Sequence, residues 1–368
     1  MKKFLNLPIS PLMGSTLSNF IHIISKYSIS TSYILNVFLT FLVIVITSPF
    51  QLIDKVIFFL KKDTKKKDPI FIIGHWRSGT TFLQNLLCQD KKFGYFNTYN
   101  SLFISNIYSS ILFKTLMRIT MPKTRPSDGV KLGVELPQED EFALTNYTIL
   151  SHYLFFFFPN DYKKIYNNTL RLEENDQNKW LKYYDNIISR ISIYTGKQRI
   201  LIKNPSNTSR IKYLLKQYPN AKFIHIYRNP VFVYLSTFKF FSELFPSVNL
   251  QNFNEDKLVK LVIYNYREMY KDYYKHKDLI PKNNLIEFGF EDFKKDPLAQ
   301  IERVYENFDL DGLEVNRDAF KKYIKSQEGH KINQYKIKKE LLKSIKKEFK
   351  QSFKEMNYEI PKNLKIIN

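Results

Sequence analysis

Residues 69–81 read Pro-Ile-Phe-Ile-Ile-Gly-His-Trp-Arg-Ser-Gly-Thr-Thr, and the fold turns on how this stretch is read. The run Ile70–Ile73 is apolar and rich in β-branched residues, which predicts a buried parallel strand. After Thr81, residues Phe82, Leu83, Leu86 and Leu87 recur at helical spacing, so the order is strand, loop, helix. Such a turn aims backbone N–H groups and the positive end of a helix into one concavity, a ready site for a phosphate-like anion. Gly79 permits close backbone approach, and the hydroxyls of Ser78, Thr80 and Thr81 add donors.

Gly74-x4-Gly79-Thr80-Thr81 follows the outline of the G-x4-G-K-[ST] loop of nucleoside triphosphatases, but Thr80 stands where the phosphate-binding Lys belongs and the cation is moved to Arg77. An atypical P-loop kinase or NTPase is therefore the second choice. Gly74-His-Trp-Arg-Ser-Gly-Thr-Thr81 resembles the 5′-phosphosulfate loop of sulfotransferases that use 3′-phosphoadenosine 5′-phosphosulfate (PAPS). The likeness is to the branch with Arg in that loop, which includes the tyrosylprotein enzymes and many bacterial ones. It implies an α/β, three-layer, P-loop-like fold with a central parallel sheet flanked by helices. It also implies PAPS as co-substrate, held by Arg77, Ser78, Gly79, Thr80 and Thr81.

Farther along, Arg199–Lys203 reads as a strand, Ser209–Tyr218 as a helix with Ile211, Leu214, Leu215 and Tyr218 inward, and Ala221–Tyr227 as a second strand. That strand runs into Arg228-Asn-Pro230 and a helix over Val231–Phe241, which places Ser236 eight residues past Arg228. Arg228 offers a planar fork for phosphate, Pro230 starts the helix and Ser236 adds a neutral donor. In the family the matching stretch holds the 3′-phosphate through an Arg and a Ser at this separation. Asn283–Phe288 reads as another strand, followed by an acidic turn from Glu291 and a helix from Pro297 to Phe308, and the likeness spans Asp68 to Asp309. His330–Tyr335 is a loose match to the family's basic C-terminal cofactor lid and reads rather as a solvated basic helix.

Sulfuryl transfer calls for positioning and for charge stabilisation on a leaving phosphate, by analogy with phosphoryl transfer. Arg77 is the first candidate for that role. Lys203 is the second, because Lys203-Asn-Pro205 resembles the Lys-x-Pro of the tyrosylprotein branch, where that Lys assists the transition state. A hydroxyl acceptor benefits from a base, and Glu135-Leu-Pro-Gln-Glu-Asp-Glu141 is the densest carboxylate patch of the core. Its Pro137-x-Glu-Asp-Glu form resembles a motif of the bacterial enzymes, so Glu139 leads, with Asp140 and Glu141 as alternatives. The same acids equally read as the cap of a helix beginning near Phe142. His75 and His152 are rival bases, although His152 beside Tyr153 reads as a core histidine. Between Asp90 and Asp128 there is no carboxylate, so the base of the tyrosylprotein enzymes cannot be carried over. No spacing of His, Cys and Asp suggests a metal site, and no metal is expected.

The chain has 368 residues, 44% of them hydrophobic, which excludes a disordered protein. A lone cysteine, Cys88, excludes an intrachain disulfide and favours a reducing setting, the cytoplasm or the cytoplasmic face of a membrane. The formal net charge is +22, from 57 Lys+Arg against 35 Asp+Glu, and 46 of the bases are Lys. Most of these lysines read as a solvated face; a basic membrane- or nucleic-acid-binding protein is the non-enzymatic alternative, and nucleic acid is not expected as a partner. No charge occurs from Tyr27 to Ile53, and Tyr33–Ile46 is strongly apolar. An N-terminal apolar helical arm over residues 1–67 that spans or lies on a membrane is expected, separated by the charged run Lys61–Asp68 from a sulfotransferase domain over 68–368. Basic residues concentrate after the apolar run, at Lys55, Lys61, Lys62 and Lys65–Lys67, which would keep the body cytoplasmic. Aromatic stretches at Phe93–Phe96 and Tyr153–Phe158 lie between the cofactor motifs and read as core or as the wall of an acceptor site. With the apolar arm they favour a hydrophobic alcohol, lipid or sterol-like, over a carbohydrate, for which only Trp76 and Trp180 are available.

Overall fold

The apolar run after Pro69 forms strand β1 (Ile70–Ile73), every residue of which is buried. It is the middle of a five-stranded sheet with β2 (Phe93–Gly94), β3 (Arg199–Lys203), β4 (Lys222–Tyr227) and β5 (Leu285–Gly289), in the order β2-β3-β1-β4-β5. Phe71 of β1 pairs in parallel with Ile202 on one side and Phe223 on the other, and β4 pairs in parallel with β5. Helices flank this sheet, and near-continuous apolar strands are what burial on both faces requires. The computed structural model describes residues 8–61, 66–121, 124, 131–328, 335–362 and 364–367.

Two compact units are formed by segments that alternate along the chain: residues 1–67, 94–200 and 240–258 in one, and 68–93, 201–239 and 259–368 in the other. The second unit is built on β1, β4 and β5. Helix α3 (Thr80–Leu87) follows the loop after β1 and buries Leu83, Leu86 and Leu87 against Ile72, Ile224 and Phe288, with Phe82 packed at the margin of that core. Between β3 and β4 the helix is Ile211–Gln217, preceded by a 3-10 turn over Pro205–Ser209; Leu215 is only half-buried, and Tyr213 takes an inward position instead. Pro230 opens the helix Pro230–Val248, which runs past the expected end at Phe241. At the C-terminus Lys336–Lys338 forms a short strand paired with Lys365–Ile367. The residues read as a lid or basic helix, His330–Gln334, lie outside the described residues.

The first unit carries the apolar arm, α1 (Leu17–Lys26) and α2 (Ile34–Leu60). The arm is grouped with residues 94–200, where its polar side chains bond. Thr47 O accepts the Asn106 side-chain amide at 3.1 Å. The Asp54 carboxylate accepts the N–H groups of Tyr108 at 2.9 Å and Ser109 at 3.0 Å, at the head of the helix Ser110–Thr120. Helix α2 is continuous through Pro49, whose side faces solvent, while the Ser48 hydroxyl bonds the Ile44 carbonyl at 2.7 Å in the turn where the ladder is interrupted. Of the charged linker, residues 62–65 lie outside the described residues, and Lys66 is paired with Asp185 at 3.3 Å.

Asp54 is fully buried and serves as a remote N-terminal cap. Asp54→Ala should lower the unfolding free energy by about 2–3 kcal/mol, because two N–H groups lose a charged acceptor. Urea denaturation checks this, and a loss below about 0.5 kcal/mol would mean that water replaces the carboxylate fully.

Candidate active site

The loop between β1 and α3 is shaped by three residues in left-handed backbone conformations: Gly74 at φ 133°, Arg77 at φ 70° and Gly79 at φ 98°. At Gly74 the reason is close approach, since a Cβ would lie 2.2 Å from the Ile226 carbonyl oxygen. Its N–H donates to the Thr208 hydroxyl at 2.8 Å, which ties the start of the loop to the turn after β3. A Cβ at Gly79 would meet the Phe290 ring at 2.4 Å. Arg77 adopts a conformation that a non-glycine residue holds at a cost of about 1–3 kcal/mol, a mark of functional sites. Helix α3 then begins at Thr80 with no side-chain cap, so its first N–H groups are left for a ligand or solvent.

The two halves of the anion site expected from sequence meet directly. Arg77 Nε donates to Ser236 Oγ at 2.9 Å across 159 residues of chain. An Arg228 guanidinium N–H reaches the Arg77 carbonyl at 3.5 Å, and its plane lies over the Phe290 ring at 4.6 Å. Burial lowers the Arg228 pKa, Glu291 and Tyr335 push it back up, and the neighbouring Arg77 charge lowers it again. Buried Arg228 Nε has no hydrogen-bond partner among the described residues. Two guanidiniums held within electrostatic reach, one of them with an unspent donor, suit a dianion that bridges them. Lys203 ends β3 opposite Ile72 of β1 and is buried; the next residue, Asn204, donates its N–H to the Ile72 carbonyl at 3.3 Å. Arg77–Thr81, Lys203, Arg228 and Ser236 thus sit at the carboxyl ends of β1, β3 and β4. There the chain leaves β1 first for the side of β2 and β3 and later crosses to β4 on the other, the switch point at which parallel sheets bind ligands.

A sequence profile of the sulfotransferase family matches residues 69–314, more than half of the chain. The protein belongs to the sulfotransferase family. It is 30% identical over 272 residues to the omega-hydroxy-beta-dihydromenaquinone-9 sulfotransferase Stf3 of Mycobacterium bovis, an alignment that covers 73% of this chain and 70% of that protein. Its fold matches the crystal structure of sulfotransferase STF9 from Mycobacterium avium with a TM-score of 0.67 at 14% identity, over 94% of this chain and 98% of the other. Sulfotransferase STF1 from Mycobacterium tuberculosis H37Rv matches with a TM-score of 0.63 at 14% identity, over 92% and 93%. Family membership sets aside the kinase or NTPase and the non-enzymatic readings of the basic chain.

Within the sulfotransferase loop the hydroxyls differ in surroundings. Ser78 and Thr80 are buried, Ser78 against the Tyr270 hydroxyl, and Thr81, in the first turn of α3, is half-buried. His75, the rival base inside the loop, is withdrawn from solvent. Its ring is buried against Trp76 and Tyr266, and burial brings its pKa to about 4 although the Trp76 carbonyl, 3.0 Å from Nδ1, acts in the opposite sense.

The three acids belong to the first unit, around the start of the helix Glu141–Tyr147. Glu141 is buried, and one carboxylate oxygen accepts the Ser151 hydroxyl at 2.8 Å and the His152 N–H at 2.7 Å. It braces the 148–153 loop. Asp140 is buried at the N-cap position of that helix. Glu139 is half-buried and accepts a short hydrogen bond from the Tyr153 hydroxyl. His152 is buried against Phe155 and Tyr166, a core residue. The run Tyr153–Phe158 is likewise buried, packing on Phe241 and Phe245, which makes it core.

Sequence reasoning missed Phe290 and Tyr358. Phe290 closes on both Gly79 and Arg228, and the Tyr358 hydroxyl donates to the Glu291 carboxylate. Position beside the acidic turn after β5 is the one signal that pointed toward Phe290; nothing local pointed to Tyr358. Among the described residues no group of three or more His, Cys, Asp or Glu could hold a metal ion.

Gly74→Ala and Gly79→Ala should differ in severity. At Gly74 the obstacle is backbone, so the loss should reach about 3 kcal/mol or more, whereas at Gly79 an aromatic side chain can give way and about 1–3 kcal/mol is expected. Thermal unfolding of the two variants checks the order; a more damaging Gly79→Ala would contradict the assigned contacts.

Proposed function

We propose that this sulfotransferase transfers the sulfuryl group of PAPS to the hydroxyl of a hydrophobic alcohol, lipid or sterol-like. The observation that carries the donor assignment is the Arg77–Ser236 hydrogen bond with Arg228 beside it. A nucleotide with one charged group at each end of its ribose is the ligand such a divided anion site fits. The acceptor class rests on the 30% identical relative, whose name gives an omega-hydroxylated isoprenoid quinone as its substrate.

In this reading the acceptor oxygen attacks sulfur in line, and the bond from sulfur to the 5′-phosphate oxygen breaks. The electron pair stays on the phosphate, giving 3′,5′-adenosine bisphosphate and a sulfate ester. Arg77, the N–H groups of the loop and the head of α3 stabilise the charge that grows on the phosphate, and Lys203 serves the bridging oxygen. Arg228 and Ser236 hold the 3′-phosphate. The acceptor proton is assigned to Glu139 ahead of Asp140 and Glu141, because Glu139 is the acid among the three that is not buried.

A ligand that binds the folded state at a hundred times its Kd stabilises by about 2.7 kcal/mol. 3′,5′-Adenosine bisphosphate should therefore raise the melting temperature, and ATP with Mg²⁺ should not; the reverse pattern would sink the donor assignment. Arg77→Ala should reduce turnover of labelled PAPS onto a long-chain alcohol by roughly 10²–10³-fold, and undiminished turnover refutes its role. Glu139→Gln should lower kcat by roughly 10²–10⁴-fold with the KM for PAPS unchanged; equal loss in Glu141→Gln with a normal Glu139→Gln would transfer the base to Glu141.

A further inference from the structure

Helix α2 is amphipathic in the inverted sense. At ~100° per residue, positions 40, 44, 47, 51 and 54 fall on one side of the helix, and Thr40, Ile44, Thr47 and Asp54 are its buried residues. This side is mostly polar and faces the protein. Thr40 Oγ1 accepts the Ser10 N–H at 2.9 Å, and the Gln51 side-chain amide donates to the Ser15 carbonyl at 3.1 Å. Asp54 caps a neighbouring helix and is fully buried. The opposite side is apolar and uncovered: Phe38, Ile46, Leu52 and Phe59 are all exposed, Phe59 by 88%. Leu17 and Ile21 of α1 are exposed as well.

A helix that spanned a bilayer would have to carry the chain segments bonded to Thr40 and Thr47, at the middle of its uncharged stretch, into hydrocarbon, at a cost no packing here offsets. A core helix would turn its apolar side inward. Neither description fits, and one surface remains that takes an apolar stripe facing outward.

We infer that α2 is an in-plane docking helix whose exposed stripe seats in the interface of an anionic bilayer. Charge selects the bilayer over a second copy of the chain. From residue 1 to residue 60 the sequence contains one carboxylate, Asp54, and it is turned inward, while Lys26, Lys55 and Lys61 at the two ends of the arm are exposed. Two such cationic surfaces on chains of net charge +22 repel, whereas acidic lipid headgroups neutralise them. Twenty-seven residues make a helix about 40 Å long, room for the stripe to lie along the surface. The inference stands apart from the donor and acceptor assignments.

The experiment is flotation of the full-length protein with phosphatidylcholine vesicles that contain phosphatidylglycerol. The wild type should float with the vesicles, and Ile46→Asp and Phe59→Asp should each reduce the bound fraction by roughly tenfold or more, with unchanged melting temperature. Ile46→Leu should bind as the wild type does. No flotation of the wild type, or equal flotation of the Asp variants, overturns the inference. So does a wild-type dimer in light scattering that Ile46→Asp dissociates, since a second copy would then cover the stripe. Turnover of a detergent-solubilised short-chain alcohol should survive in both Asp variants; its absence in the wild type, with flotation intact, would count against the acceptor reading alone.

Discussion

The second unit depends on how closely the end of β1 passes β4. Gly74 has no Cβ, and the space it leaves is taken by the Ile226 carbonyl, which any other residue would strike at 2.2 Å. This contact fixes where the chain leaves the sheet. From there the Thr208 hydroxyl pins the Gly74 N–H, and the loop must turn through left-handed conformations at Arg77 and Gly79 to enter α3. The positive φ at Arg77 is what sends its guanidinium to Ser236, on the helix that follows β4. A small residue at one strand end therefore decides where the Arg77 charge finds its partner, beyond the neighbouring strand and 159 residues along the chain.

The charges at this site oppose stability. Arg228 is desolvated and lies within reach of a second guanidinium, and both effects weaken its protonated form. Glu291 and the face of Phe290 offset part of that, the first by attraction and the second through its ring quadrupole. What is left over is a buried guanidinium whose Nε has no hydrogen-bond partner among the described residues. Under the proposed function, a phosphate at Arg228 would hold the nucleotide while Arg77 and the loop act on the group being transferred, a division of labour between remote binding and the reacting centre.

The strand–loop–helix order was legible in the sequence because its parts are local. A buried strand, a glycine-bearing loop and a helix of eight residues follow one another from Pro69 to Leu87, and each has its own periodicity. Arg228 and Ser236 were legible for the same reason, eight residues apart on one strand end and one helix. What escaped is long-range. The grouping of the arm with residues 94–200 rests on bonds such as Asp54 to Tyr108 and Ser109, across more than fifty residues, and no window of sequence contains both ends. Pro49 lies inside the helix without ending it, because it is on the exposed side and the neighbouring Ser48 hydroxyl bonds the Ile44 carbonyl. The surroundings of His75 are long-range too: a histidine inside this loop invites a chemical role, and its burial against Tyr266 is visible only in the structure.

The excess of positive charge divides along physical lines. Arg77, Lys203 and Arg228 are buried or half-buried at strand ends, where low dielectric strengthens every interaction they make. Lys26, Lys55 and Lys61 are exposed and screened by salt, so each contributes little to folding and acts only collectively, on a surface as large and as charged as itself. The single acid of the arm marks the boundary between these two regimes. Asp54 is withdrawn from the exposed side and spent on a helix end inside the protein, which leaves the outward stripe apolar and the exposed lysines of the arm without an opposing carboxylate in residues 1–60. An exposed carboxylate at that point would repel acidic headgroups and would leave two N–H groups uncapped. Turning it inward serves folding and surface chemistry with one side chain.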